Sequence, residues 1–145
     1  MIRPATLGDT QAIKDLFQEL IGHKLSDDDV INRITYVQSS PIDSLFIYEL
    51  DNKIIGLLTF GIRENIEENS RFGEISVIVV KSEFRKMGIG KQRIEYAEQL
   101  AYEKRCIGTW LVSGFGREEQ AHPFYKELGY KTTGYRFVKH FRKNL

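Results

Sequence analysis

The sequence contains few of the residues that cross-link small proteins or bind metals in them. Cys106 is its single cysteine, so no internal disulfide can form, and this usage is typical of a reducing cytoplasm. One cysteine and three scattered histidines also argue against a metal site. We therefore expect a cytoplasmic protein that has neither disulfides nor a bound metal.

An excess of one charge and long apolar runs are also absent. The 21 basic and 20 acidic residues leave a net charge of +1, which provides no electrostatic basis for binding nucleic acid or a membrane surface. No apolar run approaches the roughly 20 residues of a membrane-spanning helix, and the first residues lack the apolar stretch of a secretion signal. Residues 1–145 are predicted to form one domain with one hydrophobic core.

Hydrophobic periodicity and turn residues predict an alternation of helices and strands. Apolar residues from Ile13 to Ile21 repeat at i, i+3, i+4 and i+7, which is the pattern of an amphipathic helix, and Asp9 is its predicted N-cap. Pro123 is expected in the first turn of the last helix. Helices are predicted over residues 10–21, 27–38, 91–104 and 118–128, and strands over 2–5, 44–50, 53–62, 74–80, 107–114, 130–133 and 135–141. This order predicts an α/β domain with a mixed, largely antiparallel sheet.

A basic turn that contains two glycines lies between the strand ending at Val80 and the next helix. It reads Arg85-Lys86-Met87-Gly88-Ile89-Gly90. The first N–H groups of a helix lack partners within the helix, and the helix dipole adds partial positive charge there. The turn therefore predicts a phosphate site, although Gly88 could instead merely relieve a crowded backbone. It has neither the P-loop pattern nor the third glycine of the dinucleotide fingerprint.

Two motifs of this chain resemble those of the GNAT superfamily of N-acetyltransferases. Arg85-x-x-Gly88-x-Gly90 resembles the acetyl-CoA motif [Q/R]-x-x-G-x-[G/A], and residues 121–130, AHPFYKELGY, are similar to the segment A-x-x-F-Y-x-x-x-G-[F/Y]. The resemblance covers essentially the whole chain. It implies a small bacterial GNAT protein with a mixed, mostly antiparallel seven-stranded sheet, about four flanking helices, and a splay between strands 4 and 5.

The resemblance also implies which residues hold acetyl-CoA, the co-substrate. Ile78 and Val80 would pair with the pantetheine arm through their main chains. The pyrophosphate would be bound by backbone N–H groups of the turn, namely those of Arg85, Lys86, Gly88, Gly90 and Lys91.

Tyr125 and Glu74 are the catalytic candidates that the resemblance implies. Tyr125 matches the family tyrosine near the CoA sulfur, where a phenol can protonate the leaving thiolate; its alternative is a structural core tyrosine. Glu74 matches a position where some members place a general base, and Ser76 on the same strand face would order a water. The alternative is a solvated Glu74, with the amine deprotonated through water and backbone groups.

The predicted reaction is direct acetyl transfer to the primary amine of a small molecule, such as an amino acid or a related metabolite. Tyr36 is expected to line the acceptor cleft, and Arg117 and His122 would face a substrate carboxylate, unless they are only a surface charge and a helix cap. A protein or peptide N-acetyltransferase and a non-catalytic CoA-binding regulatory module are the alternatives. The aromatic strand predicted over residues 135–141 permits a homodimer.

Overall fold

A computed structural model describes residues 1–113 and 118–141 of the chain. These residues form two units, one spanning Met1–Leu111 and the other beginning at Val112. The first contains β1 (Ile2–Pro4), α1 (Thr10–Ile21), α2 (Asp27–Ser39), β2 (Asp43–Leu50), β3 (Lys53–Glu64), β4 (Arg71–Val80), α3 (Ile89–Glu103) and β5 (Gly108–Leu111); the second contains α4 (Glu118–Glu127). Across the described ranges, no helix combines the length and the apolar character needed to cross a membrane.

The first unit is built on one sheet with the strand order β1-β2-β3-β4-β5. Neighbouring strands from β1 to β4 pair antiparallel, whereas β4 and β5 pair parallel. Parallel neighbours need a crossover, and α3 provides it between β4 and β5. The mixed sheet and the four α-helices confirm the predicted fold class, although the described residues contain five strands and not the seven predicted.

Helices cover both faces of this sheet. Ile13 and Leu16 of α1 are fully buried and pack with Leu45 and Ile47 on one face. Because successive residues of a strand point to opposite faces, Phe46 lies on the other face, where its ring meets Tyr96 of α3 edge to face at 5.2 Å. The helical periodicity of α1 thus predicted both the helix and its buried side.

Asp9 lies at the predicted N-cap position of α1, but its side chain does not cap the helix. Its carboxylate makes no cap hydrogen bond to α1 and instead points back along the chain. It accepts hydrogen bonds from the backbone N–H of Thr6 at 2.8 Å and from both terminal nitrogens of Arg3 at 2.9 Å. A cation supplied by β1 attracts the carboxylate more strongly than the neutral N–H groups at the helix start.

Two predictions for the second unit were wrong. Within the described residues 130–141 no strand is present, and Tyr135 and Phe137 are exposed. Alternating apolar residues indicate a possible strand face, but a strand also needs a main-chain partner, which local sequence does not specify. Pro123 lies inside α4, well beyond its first turn, because that helix already begins at Glu118. A proline there removes one backbone bond from the helix without preventing the others.

Candidate active site

The glycine turn lies at the N-terminus of α3 and has open space beside it. Gly88 is the N-cap of that helix and has a left-handed φ of 78°, and a Cβ built on it would have no heavy atom within 4 Å. Gln92 N–H donates to Gly88 O at 3.0 Å, so the N–H groups of the residues between them precede the helical ladder. Open space, free amides and a helix dipole fit the pyrophosphate of acetyl-CoA.

The side chain of Arg85 connects this turn to two other elements. Its Nε donates to the carbonyl of Val80 at 3.3 Å, and its terminal nitrogen lies 3.2 Å from a carboxylate oxygen of Glu19 on α1. Lys86 and Lys91 are exposed beside the turn, and Lys91 lies 3.8 Å from Glu95. The sequence reasoning missed Glu19, because a glutamate on the polar side of an amphipathic helix carries no functional signal.

Half of β4 has an edge that β5 does not cover. The pairing with β5 ends at Ile75 and Leu111, while β4 continues to Val80. Lys81 N–H donates to Ile55 O in β3, so the alternate residues Ile78 and Val80 direct their main-chain groups away from β3. This edge is where the predicted pairing of Ile78 and Val80 with an extended ligand would take place.

A β-bulge lies at the point where β4 and β5 separate. Thr59 pairs with Val77 and Phe60 pairs with Ile75, which leaves Ser76 as the extra residue in β4. Bulges redirect side chains and are common beside active sites. Here the hydroxyl of Ser76 donates to Glu74 Oε1 at 3.2 Å, so the structure brings these two predicted residues together.

The Glu74 carboxylate accepts hydrogen bonds from three side chains. Its Oε1 also accepts from Arg63 at 3.2 Å, and its Oε2 accepts from the indole Nε1 of Trp110 at 2.9 Å. The Glu74 side chain is 31% exposed, so it is held in place while remaining accessible to solvent. Sequence reasoning missed Arg63 and Trp110, which lie on other strands and belong to no motif.

Arg63 also joins Glu74 to a second carboxylate. It donates to Asp43 Oδ1 at 3.0 Å, and Asp43 Oδ2 accepts from the hydroxyl of Tyr36 at 2.8 Å. Burial alone would lower the pKa of Arg63, but the hydrogen bond to Asp43 and the charges of both carboxylates outweigh it and raise that pKa. The hydrogen bond to Asp43 likewise raises the pKa of the Tyr36 phenol. Two carboxylates around one guanidinium leave this cluster net negative.

The remaining predicted residues belong to the second unit. Tyr125 and His122 lie on α4 and are partly buried, and the Tyr125 ring contacts the rings of Phe124 at 5.2 Å and Tyr130 at 6.2 Å. Arg117 lies outside the described residues. Within residues 1–113 and 118–141, no group of three or more His, Cys, Asp or Glu is arranged to hold a metal ion.

The sequence matches a known family and is similar to a named relative. The model of the acetyltransferase (GNAT) family matches residues 10–130. The chain is similar to the aminoalkylphosphonate N-acetyltransferase of Salmonella typhimurium, with 27% identity over 141 residues, which make up 95% of this chain and 89% of that protein.

Two solved structures have a similar fold. A protein described as a transcriptional regulator from Bacillus halodurans C-125 has a TM-score of 0.88 and 21% identity, and the match covers 97% of this chain and 99% of that one. The aminoglycoside N-acetyltransferase AAC(6')-Iy in complex with CoA has a TM-score of 0.81 and 20% identity, covering 100% of this chain and 95% of that one. At these identities the two structures establish the fold alone.

Proposed function

The chain belongs to the acetyltransferase (GNAT) family, an acetyl-CoA-dependent class of acyltransferases, and from that membership we propose that it acetylates the primary amine of a small molecule. The observation that carries the proposal is the arrangement of β4. The uncovered edge of this strand leads to the anion turn before α3, and Glu74 lies near the other end of the strand. One strand thus has a place for the donor and a carboxylate for the acceptor amine.

The donor would lie along the uncovered edge of β4. Ile78 and Val80 would pair with the pantetheine arm through their main chains, as a neighbouring strand would. The N–H groups of Lys86, Gly88, Gly90 and Lys91 would hold the pyrophosphate, whereas the N–H of Arg85, which was also predicted to do so, already donates to Ser82 O at 3.3 Å. Pairing along an extended strand would orient the thioester relative to the acceptor, which lowers the entropic cost of the reaction.

The chemistry requires three proton transfers around one acyl transfer. Glu74 would remove the first proton from the acceptor ammonium, directly or through a water ordered by Ser76, and this frees the nitrogen lone pair. The nitrogen then attacks the acetyl carbonyl carbon, forming a C–N bond while the C–S bond breaks, and it loses its second proton to water. Tyr125 would donate its phenol proton to the departing thiolate. The products are an N-acetylated amine and CoA.

The acceptor proposed here is a small amine that also carries an anionic group. The Salmonella relative is named for aminoalkylphosphonates, and this chain covers most of its length. The net negative cluster of Asp43, Arg63 and Glu74 would attract the ammonium end of such a molecule. An anionic end, whether a carboxylate or a phosphonate, needs a cationic partner, and the sequence offers His122 and, outside the described residues, Arg117 for that role.

The deciding experiment measures the release of free CoA thiol from acetyl-CoA with a panel of amines. The panel pairs an aminoalkylphosphonate and an amino acid with the matching alkylamine that lacks the acid group, and it includes a peptide. We expect turnover with the acidic amines and a lower kcat/KM with the plain alkylamine. Turnover of the peptide alone would support a peptide acetyltransferase. Tight CoA binding without turnover of any amine would support a regulatory module.

A further inference from the structure

Four neighbouring strands place one residue each in a row across the sheet. Asp43 of β2 pairs with Gly61 of β3, Gly61 pairs with Glu74 of β4, and Glu74 pairs with Trp110 of β5. Directly paired residues of adjacent strands point to the same face of the sheet. The two carboxylates of the row therefore lie on the same face, with a residue that has no side chain between them.

The guanidinium of Arg63 fills the space that Gly61 leaves in this row. A Cβ on Gly61 would lie 2.7 and 2.8 Å from the two terminal nitrogens of Arg63 and 2.5 Å from Asp43 Oδ1. One of these nitrogens donates to both carboxylates, at 3.0 Å to Asp43 and 3.2 Å to Glu74. Glycine at this position is what allows the cation to bridge the two acids.

We propose that Arg63 is a positioning residue of the acetyl transfer, which holds the Glu74 carboxylate in place with its positive charge, and that Asp43 tunes this effect by sharing the same cation. The inference rests on the proposed function in that Glu74 is taken to accept the amine proton. A base must be ionised to act, and a guanidinium remains charged at every working pH. Arg63 is therefore a permanent cation beside the Glu74 carboxylate.

Arg63 and Asp43 should have opposite effects on the protonation of Glu74. Among the residues that the structure describes, the charged groups facing Glu74 are Arg63 from β3 and, behind it, Asp43 from β2. The neutral donors are Ser76 on the same strand, Trp110 from β5 and, through Asp43, Tyr36 from α2. Removing the cation makes Glu74 easier to protonate. Without Asp43, the cation interacts with Glu74 alone, and Glu74 should become harder to protonate.

Trp110 provides a readout that does not depend on turnover. It is the single tryptophan of the chain, and its indole N–H donates to Glu74 Oε2 at 2.9 Å. Protonation of Glu74 removes a negative charge next to the indole, which changes its fluorescence. Emission of the full-length protein without ligands is followed from about pH 3 to pH 8, the range in which carboxylates and histidines titrate, with circular dichroism as a check on folding.

The variants are chosen to separate charge from structure. We expect Glu74→Gln to lose the fluorescence transition and Arg63→Gln to move its midpoint to higher pH. Asp43→Asn should move the midpoint down, and Arg63→Lys, which retains the charge, should stay near the wild type. Arg71→Gln is the matched control, because Arg71 lies on the same strand as Glu74 but pairs with Glu64 at 2.7 Å. Its midpoint should not move.

The acid limb of kcat/KM against pH is then measured for the same variants, and it should move in the same directions. An unmoved midpoint in Arg63→Gln, or a shift of the same sign in Arg63→Gln and Asp43→Asn, would overturn the inference. The inference would also be overturned if the fluorescence midpoints of the two variants moved in opposite directions while their pH–rate profiles coincided. Failure of the wild type to acetylate any amine is a different result: it would reject the proposed function, and fluorescence would still report whether Arg63 and Asp43 control Glu74.

Discussion

A carboxylate oxygen of Glu19 on α1 lies 3.2 Å from a terminal nitrogen of Arg85, the residue that opens the acetyl-CoA motif. The two residues are 66 positions apart in sequence, and both side chains are partly exposed. Arg85 is thus held by α1, next to the turn proposed to receive a pyrophosphate. A carboxylate at this place would compete with the phosphates of a bound CoA for the same cation.

Removal of the Glu19 charge should therefore strengthen CoA binding. In Glu19→Gln the repulsion of the pyrophosphate is gone and Arg85 is released. An exposed ion pair is worth about 0.2–1 kcal/mol, which corresponds to a decrease of about 1.5- to 5-fold in the Kd for CoA. Titration calorimetry of CoA measures this, with Asp15→Asn, one turn earlier on α1, as the control. Weaker binding in Glu19→Gln would show that the pair assists the donor site, and equal binding would show that Glu19 does not affect it.

Gly88 should be required for two reasons: its backbone is left-handed, and a side chain there would occupy the turn proposed to bind CoA. Its φ of 78° is almost identical to the 79° of Gly22, the C-cap of α1, and neither position has a heavy atom near an added Cβ. Alanine at either position should reduce the free energy of unfolding by about 1–2 kcal/mol, the cost of the left-handed region for a residue with a Cβ. Urea denaturation measures this cost.

The two glycine variants should differ in their affinity for CoA. Gly88→Ala places a methyl group in the anion turn, so its Kd for CoA should rise, whereas Gly22→Ala should bind CoA as the wild type does. Equal affinities in the two variants would mean that the turn does not contact the phosphates.

The elements could be predicted from sequence where their signal is local. The apolar repeat of α1 lies within 12 residues, and the glycine turn is contiguous, so both were identified correctly. Ser26 is also the cap of α2, and its side chain accepts from Asp29 N–H. Each of these features depends on residues within one or two turns of one another.

The polar cluster around Glu74 could not be predicted, because it depends on strand register. Arg63 and Asp43 are 20 residues apart, and Trp110 is 36 residues from Glu74. A shift of one residue in any pairing would turn these side chains to the other face of the sheet. The bulge at Ser76 adds such a shift inside β4, and no residue type in the sequence predicts it.

Tyr125 should be essential to turnover if it protonates the CoA thiolate. Tyr125→Phe keeps the aromatic contacts with Phe124 and Tyr130 and removes only the hydroxyl. A general acid contributes about 10²–10⁴-fold, so kcat should fall by at least about 100-fold while the Kd for CoA changes little. Steady-state thiol release together with CoA titration distinguishes these quantities. A kcat within a few-fold of the wild type would remove Tyr125 from the mechanism.

The pair of Arg3 and Asp9 should make the stability of the fold depend on pH. The hydrogen bonds from Arg3 lower the pKa of Asp9 below its usual value, although burial opposes them, and Thr6 adds to the effect. A carboxylate with a lowered folded-state pKa stabilises the protein above its unfolded pKa of about 4, and this contribution disappears as pH falls through the folded value. The free energy of unfolding should therefore decrease below about pH 4.

Asp9→Asn should abolish that part of the pH dependence and reduce stability at neutral pH by about 2 kcal/mol, since a hydrogen-bonded charge pair is broken near the core. Urea denaturation measures both effects when it is carried out at neutral pH and at about pH 3.5, which is below the usual pKa of aspartate. Asp27→Asn is the control, because Asp27 pairs with Lys14 with 63% of its side chain exposed and such pairs contribute little. If the two variants lose equal stability and keep the same pH slope, Arg3 does not stabilise the fold through Asp9.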